Sequence, residues 1–134
     1  MEKLTMTTER APMYARNNGQ QAEREARHAL TGEWFKADNL KGGADCLGYQ
    51  IKSARATVCR GDSLDNIATE YAGVKGFIFA DREACTMYVM TAEEWRAFCE
   101  RFAEVDRESK GNGVKLRLNR QNKAQRAYLE RRTR

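Results

Sequence analysis

Asp45-Cys46-Leu47-Gly48-Tyr49-Gln50-Ile51-Lys52 places an acid, an amide and a lysine within one short span. Tyr49 and Ile51 alternate with Gln50 and Lys52, a period of two that predicts a strand. Gln50 and Lys52 then share one strand face, and Asp45 stands at the strand's start. Upstream, a predicted helix carries Glu23 and Glu25. If its end packs over the strand, one of these glutamates reaches Asp45. Such a group suits a hard divalent cation, because magnesium takes oxygen ligands. Asp45 and Glu23 offer carboxylates, Gln50 an amide oxygen and Ile51 a backbone carbonyl. Phosphodiester hydrolysis uses such a cation to steady the charge on the phosphorane and to activate water. Lys52 orients that water or offsets phosphate charge, and nearby carboxylates favour its charged form. The expected cofactor is Mg²⁺ or Mn²⁺. The expected substrate is DNA, and the same chemistry serves RNA.

The elements that position these residues follow from periodicity and caps. Residues 1–16 are polar and aperiodic and read as a flexible lead-in. Asn17 or Asn18 caps a helix from about Gln20 to Leu30, with a thin apolar stripe of Ala22, Ala26, Ala29 and Leu30. Trp34 and Phe35 suggest a short extended piece, and Lys41-Gly42-Gly43 a turn. Cys46 to Cys59 reads as strand, bent near Ser53. Asp62, with Asp65 three residues on, predicts a helix carrying Leu64, Ile67, Ala68 and Tyr71 and ended by Gly73. Phe77 to Phe79 and Thr86 to Met90 form a hairpin around Asp81-Arg82. Thr91 and Glu94 match a capping box for a helix to about Glu104 that buries Trp95, Phe98 and Phe102. Asn112-Gly113 marks a turn, Lys115 to Leu118 an edge strand, and a basic helix with Ala124, Tyr128 and Leu129 follows. The expected fold class is α/β: a single domain over residues 17–134, with a mixed central β-sheet flanked by helices.

Composition narrows the partners. A chain of 134 residues suits one core. It holds no apolar run long enough to cross a membrane, and its polar first residues predict no signal peptide. The cytoplasm is the expected location. Cys46, Cys59, Cys85 and Cys99 lack CxxC spacing, and His28 is the single histidine, so free thiols are expected rather than a zinc site. The net charge of +5 is uneven. Residues 41–60 are basic, 61–100 acidic and 101–134 strongly basic. That asymmetry fits a protein presenting one face to a polyanion. Arg55 and Arg60 lie close in sequence to the candidate metal site. Lys115, Arg117, Arg120, Lys123 and Arg126 are candidates to grip the phosphate backbone, which sets position rather than sequence preference.

The order of these residues resembles the PD-(D/E)xK restriction-endonuclease-like superfamily. There, a sheet with flanking helices carries an aspartate at one strand and an acid-x-lysine on the next, often with a glutamate on the preceding helix. Asp45 matches the aspartate and Lys52 the lysine. Gln50 takes the place of the second acid, Ala44 replaces the proline, and Glu23 matches the helix glutamate. Glu23 lies four residues after Gly19, a spacing seen in resolvase-like members. The few residues between Asp45 and Gln50 are most similar to the mismatch-repair nicking nucleases. The resemblance spans about residues 17–60, extending toward 80. It implies a restriction-endonuclease-like core, Mg-dependent endodeoxyribonuclease activity, catalytic Glu23, Asp45, Gln50 and Lys52, and a metal held by Glu23, Asp45, Gln50 and Ile51. Gln50 removes one negative ligand, which weakens magnesium binding. One active site cuts one strand, so a double-strand cut needs a homodimer or two successive events.

The same residues have structural uses. Asp45 can cap the Gly42-Gly43 turn. Gln50 and Lys52 can face solvent from a half-exposed strand, and Glu23 can pair with Arg27 along a helix. Two other functions fit the composition. One is a non-catalytic nucleic-acid-binding module on the same fold. The other is a small phage or mobile-element protein that binds and inhibits a host protein through an exposed apolar patch.

Overall fold

The computed structural model describes residues 1–6, 18–34, 45–54, 56–107, 113–119 and 121–133. Within them run β1 (Glu2–Thr5), α1 (Asn18–Thr31), β2 (Tyr49–Ser53), β3 (Thr57–Arg60) and α2 (Asn66–Glu70). Then follow β4 (Gly76–Asp81), β5 (Thr86–Met90), α3 (Ala92–Phe102), β6 (Ala103–Arg107), β7 (Val114–Leu118) and α4 (Asn122–Arg132).

The strands make two sheets rather than one. A mixed sheet has the order β1-β5-β4-β2, with β2 and β4 parallel and the other pairs antiparallel. An antiparallel sheet has the order β3-β7-β6. The predicted strand over 46–59 therefore divides between sheets, with β2 in the mixed sheet and β3 in the antiparallel one. Along β4 every residue from Gly76 to Ala80 is buried. Ile78 and Ala80 pack with Ala22 and Ala26 of α1, and with Ile51 and Met87. Phe77 and Phe79 point the other way, into a larger core with Val58, Trp95, Phe98, Leu116, Leu118 and Leu129. α1 thus covers one face of the mixed sheet, while α3, α4 and the second sheet cover the other. Gly76 is required where β4 starts, since a Cβ there would lie 2.5 Å from the Met90 carbonyl oxygen.

Several expectations hold. The β4–β5 hairpin forms in register from Phe77↔Met90 to Asp81↔Thr86. The Thr91 hydroxyl accepts from the Glu94 amide at 3.1 Å, and Glu94 accepts from the Thr91 amide at 3.0 Å, completing the capping box. Cys46, Cys59, Cys85 and Cys99 are free thiols. No helix among the described residues is long and apolar enough to cross a membrane.

Other expectations are corrected. Glu2–Thr5, placed in a flexible lead-in, is a strand whose backbone pairs with β5, a long-range partner that aperiodic side chains do not announce. Lys115 to Leu118, expected at an edge, lies in the middle strand between β3 and β6. Ala103–Arg107 is strand rather than helix end: Ala103 turns extended at φ −79°, ψ 142°, and pairing with β7 holds the segment. The helix predicted from Asp62 is shorter and starts at Asn66, and the Asp65 side chain makes no capping hydrogen bond. Phe35, Asn17 and the Lys41-Gly42-Gly43 turn lie outside the described residues.

A tight turn sets the entry to β2. The Tyr49 amide donates to the Cys46 carbonyl at 2.8 Å, and Leu47 and Gly48 take φ of 50° and 87°. Two central residues at positive φ make a type I′ turn, which favours Asn-Gly. Leu47 is a branched-chain residue in the left-handed region, with its side chain 58% exposed. Leu47→Asn is therefore expected to stabilise the fold by about 0.5–1 kcal/mol, and Gly48→Ala to destabilise it by a similar amount. Urea denaturation measures both. A destabilising Leu47→Asn would remove the strained-turn explanation.

Candidate functional site

The turn brings Asp45 back over its own strand. Asp45 Oδ2 accepts a hydrogen bond from the Ile51 amide at 2.8 Å, and the Asp45 amide donates to the Tyr49 carbonyl at 2.8 Å. Among the described residues β2 is the last strand of its sheet and pairs with β4 on one side only. The Ile51 N–H points off the other side, toward Asp45. In a strand, the N–H and C=O of one residue leave on the same side. The Ile51 carbonyl thus shares the free edge with the Asp45 carboxylate. Asp45 accepts from Ile51, while the Gly42-Gly43 turn that it was also a candidate to cap lies outside the described residues.

Gln50 and Lys52 share the opposite face of β2 from Ile51, as the period of two requires. Neither is a simple surface residue. Among the described residues Gln50 Oε1 is buried without a hydrogen-bond partner, as is Trp95 Nε1 in the core. A buried carbonyl oxygen left without a donor costs about 1–3 kcal/mol. Lys52 Nζ reaches inward, donating to the Tyr71 hydroxyl at 2.7 Å and to the Thr57 carbonyl at 2.9 Å. It also lies 4.7 Å from the centre of the Tyr71 ring. Burial lowers the Lys52 pKa, and the Asp45 and Glu70 carboxylates oppose that without cancelling it. The expectation that carboxylates dominate at Lys52 is thus reversed by desolvation. Burial, with Glu70 and Asp45 nearby, raises the Tyr71 pKa, so its hydroxyl stays neutral and accepts from the ammonium.

α1 packs against β2 and β4 and carries the remaining carboxylate. Glu23 and Arg27 stand one turn apart. Arg27, 6% exposed, donates from Nη2 to Glu23 Oε1 at 3.0 Å and to the Asp45 carbonyl at 2.9 Å. The predicted i, i+4 pair is real, and it also ties α1 to the turn. Glu23 and Asp45 bracket one guanidinium. The Cys46 thiol lies beneath them, its pKa raised by burial, lowered by Arg27 and raised again by Asp45 and Glu23. Glu25 turns elsewhere, to Arg82 at 2.8 Å and Gln21 at 2.7 Å. His28 stacks on Trp34 with ring centres 3.9 Å apart.

Carboxylate, amide and backbone carbonyl oxygens are of the type that a hard cation takes. Among the described residues no three His, Cys, Asp or Glu side chains gather as a metal cluster. An ion here would rest on two carboxylates at most, completed by neutral oxygens.

The basic residues are less united than their spacing suggests. Arg117 pairs with Asp106 at 2.8 Å. Arg126 bonds Asp81 at 3.0 Å and pairs with Glu83 at 3.2 Å. These partners line a cavity of about 180 Å³ beside Ser53. Arg60 sits opposite Lys115 across β3 and β7, and Lys123 is exposed on α4. Arg55 and Arg120 lie outside the described residues. Sequence reasoning gave Arg27 only a surface pairing and Tyr71 only a core role. The helical spacing of Tyr71 was legible, but its hydroxyl contact with Lys52 depends on non-local packing. Compared with protein-family models, with curated proteins and with solved structures, the chain finds no match in any of the three.

Desolvation at Lys52 carries a pH signature. A lysine whose folded pKa lies below its unfolded value binds fewer protons when folded, so stability rises with pH between those two values. Wild type is expected to gain stability relative to Lys52→Met as pH rises toward the ordinary lysine range. Thermal melts of both chains across neutral to alkaline pH measure this. Parallel curves would show that Lys52 is not desolvated.

Proposed function

We propose that the chain is a metal-dependent endonuclease that hydrolyses DNA phosphodiester bonds at the free edge of β2. The observation that carries the reading is the Asp45 carboxylate held by the Ile51 amide on the edge of β2, the strand whose inner face carries Gln50 and the buried Lys52. Asp45, Gln50 Oε1 and the Ile51 carbonyl would hold Mg²⁺ or Mn²⁺, with Glu23 the nearest further carboxylate donor on α1. When bound, the ion supplies charge for the phosphorane and lowers the pKa of water.

The chain's own residues do the positioning. The Ile51 amide fixes one Asp45 oxygen, so the carboxylate is oriented before any ligand arrives. Tyr71 and the Thr57 carbonyl hold Lys52 Nζ, whose protons are suited to orient the attacking water. Arg27 neutralises Glu23 and braces the Asp45 backbone. That same guanidinium favours a second reading, a non-catalytic nucleic-acid-binding module, because a buried cation already partners the helix carboxylate. The apolar patch expected of a host-protein inhibitor has less support. The exposed large apolar residues among those described are Leu47 and Val105, on separate elements.

Incubation with supercoiled plasmid separates the two readings. Wild type is expected to nick it with Mg²⁺ or Mn²⁺ and not with EDTA. Asp45→Ala and Lys52→Ala are each expected to lower the rate at least about a hundredfold while leaving the chain folded. Mn²⁺ is expected to raise the melting temperature of wild type and not of Asp45→Ala. Full activity in either variant, or a metal-independent melt with no cutting, would favour the binding module.

A further inference from the structure

We infer that the groove between the end of α3 and the outer face of α4 is a seat for the phosphate backbone of duplex DNA. The inference rests on the nuclease reading in naming its substrate, but uses residues remote in sequence from Asp45 to Lys52. The groove measures about 650 Å³ and is lined by Arg101, Ala124, Ala127, Tyr128, Arg131 and Arg132, among others, with no carboxylate among its described lining residues.

Charge is sorted around α4. Its acid, Glu130, turns away from the groove, accepting from Lys3 at 3.0 Å and from the Tyr88 hydroxyl at 2.7 Å. Arg126 is held by Asp81 and Glu83. By contrast, Arg101 and Arg131 are exposed, and among the described residues neither has a carboxylate within ion-pair distance. Ala124, Tyr128 and Arg131 fall on one helical stripe, and the two alanines keep the helix surface low between the arginines. Guanidinium forks match phosphate oxygens, and cations left without protein partners are the ones a polyanion can use.

The occupant is a backbone rather than a base. The Tyr128 ring is covered by the Arg132 guanidinium at 3.6 Å and packs edge-on to Phe102, so its face is not offered for base stacking. Contacts of this kind position a duplex without reading its sequence.

Fluorescence anisotropy of a labelled DNA duplex in EDTA reads binding while cutting is silent. The double variant Arg101→Ala, Arg131→Ala is expected to bind about tenfold more weakly than wild type, with a slope of log affinity against log salt shallower by about 2. Arg101→Lys with Arg131→Lys should recover most of the affinity, and matching melts check the fold. Unchanged affinity and slope in the alanine variant would overturn the inference. So would failure of wild type to bind duplex, including the case where it binds phosphatidylserine vesicles instead. Plasmid nicking in parallel separates the two ideas. Nicking with arginine-independent binding removes the groove alone, whereas arginine-dependent binding without nicking removes the nuclease alone.

Discussion

The parallel pairing of β2 with β4 governs what the rest of the molecule can do. It buries Ile51 against α1 through Ile78 and places Gln50 and Lys52 beside Phe77 and Phe79 on the other face. Both faces of β2 are thereby covered, and one edge is paired. The other edge has no strand partner among the described residues, and a type I′ turn swings Asp45 onto its Tyr49 and Ile51 backbone groups. The position of the candidate site is thus a consequence of layering. A strand between two cores has only an edge to offer.

Several features that depart from local rules lie on β2 and the turn before it, while Cys85 at positive φ and the buried Trp95 Nε1 lie elsewhere. Leu47 occupies a left-handed conformation suited to glycine or asparagine. Gln50 buries an oxygen without a partner. Lys52 is desolvated, and Arg27 is a buried cation bridging two elements. Each departure costs stability that an apolar or turn-forming residue would not. Much of the rest follows local signals: alternating residues form the hairpin, a capping box starts α3, and aromatic side chains fill the core. Of these departures, the Leu47 turn and the buried Arg27 lie at the start of β2, and the Gln50 and Lys52 side chains leave from its inner face.

Net charge alone describes the basic C-terminal third poorly. Arg117 and Arg126 have carboxylate partners contributed by β6 and by the end of the β4–β5 hairpin. Arg101 and Arg131 are left exposed. A count of arginines cannot separate these two groups, because pairing depends on which acids the sheets bring alongside. The segment's electrostatic reach comes from the unpaired members, since ion-paired guanidinium groups are partly neutralised.

Local signals in the sequence determined the elements whose cause is local. The alternation Tyr49-Gln50-Ile51-Lys52 made a strand with Gln50 and Lys52 on one face, and Thr91 with Glu94 started a helix. The thin alanine stripe of α1 placed that helix against the sheet. Glu23 with Arg27 was legible as a pair at one-turn spacing. Tertiary structure alone decided the rest. It made strands of Glu2–Thr5 and Ala103–Arg107, which have weak local patterns and distant partners, and divided the strands into two sheets. It also turned Lys52 inward to Tyr71 and left Gln50 Oε1 without a partner among the described residues. Periodicity reports which residues share a face. What that face meets is set by contacts between segments far apart in the chain, and burial, pKa and charge pairing follow from those contacts.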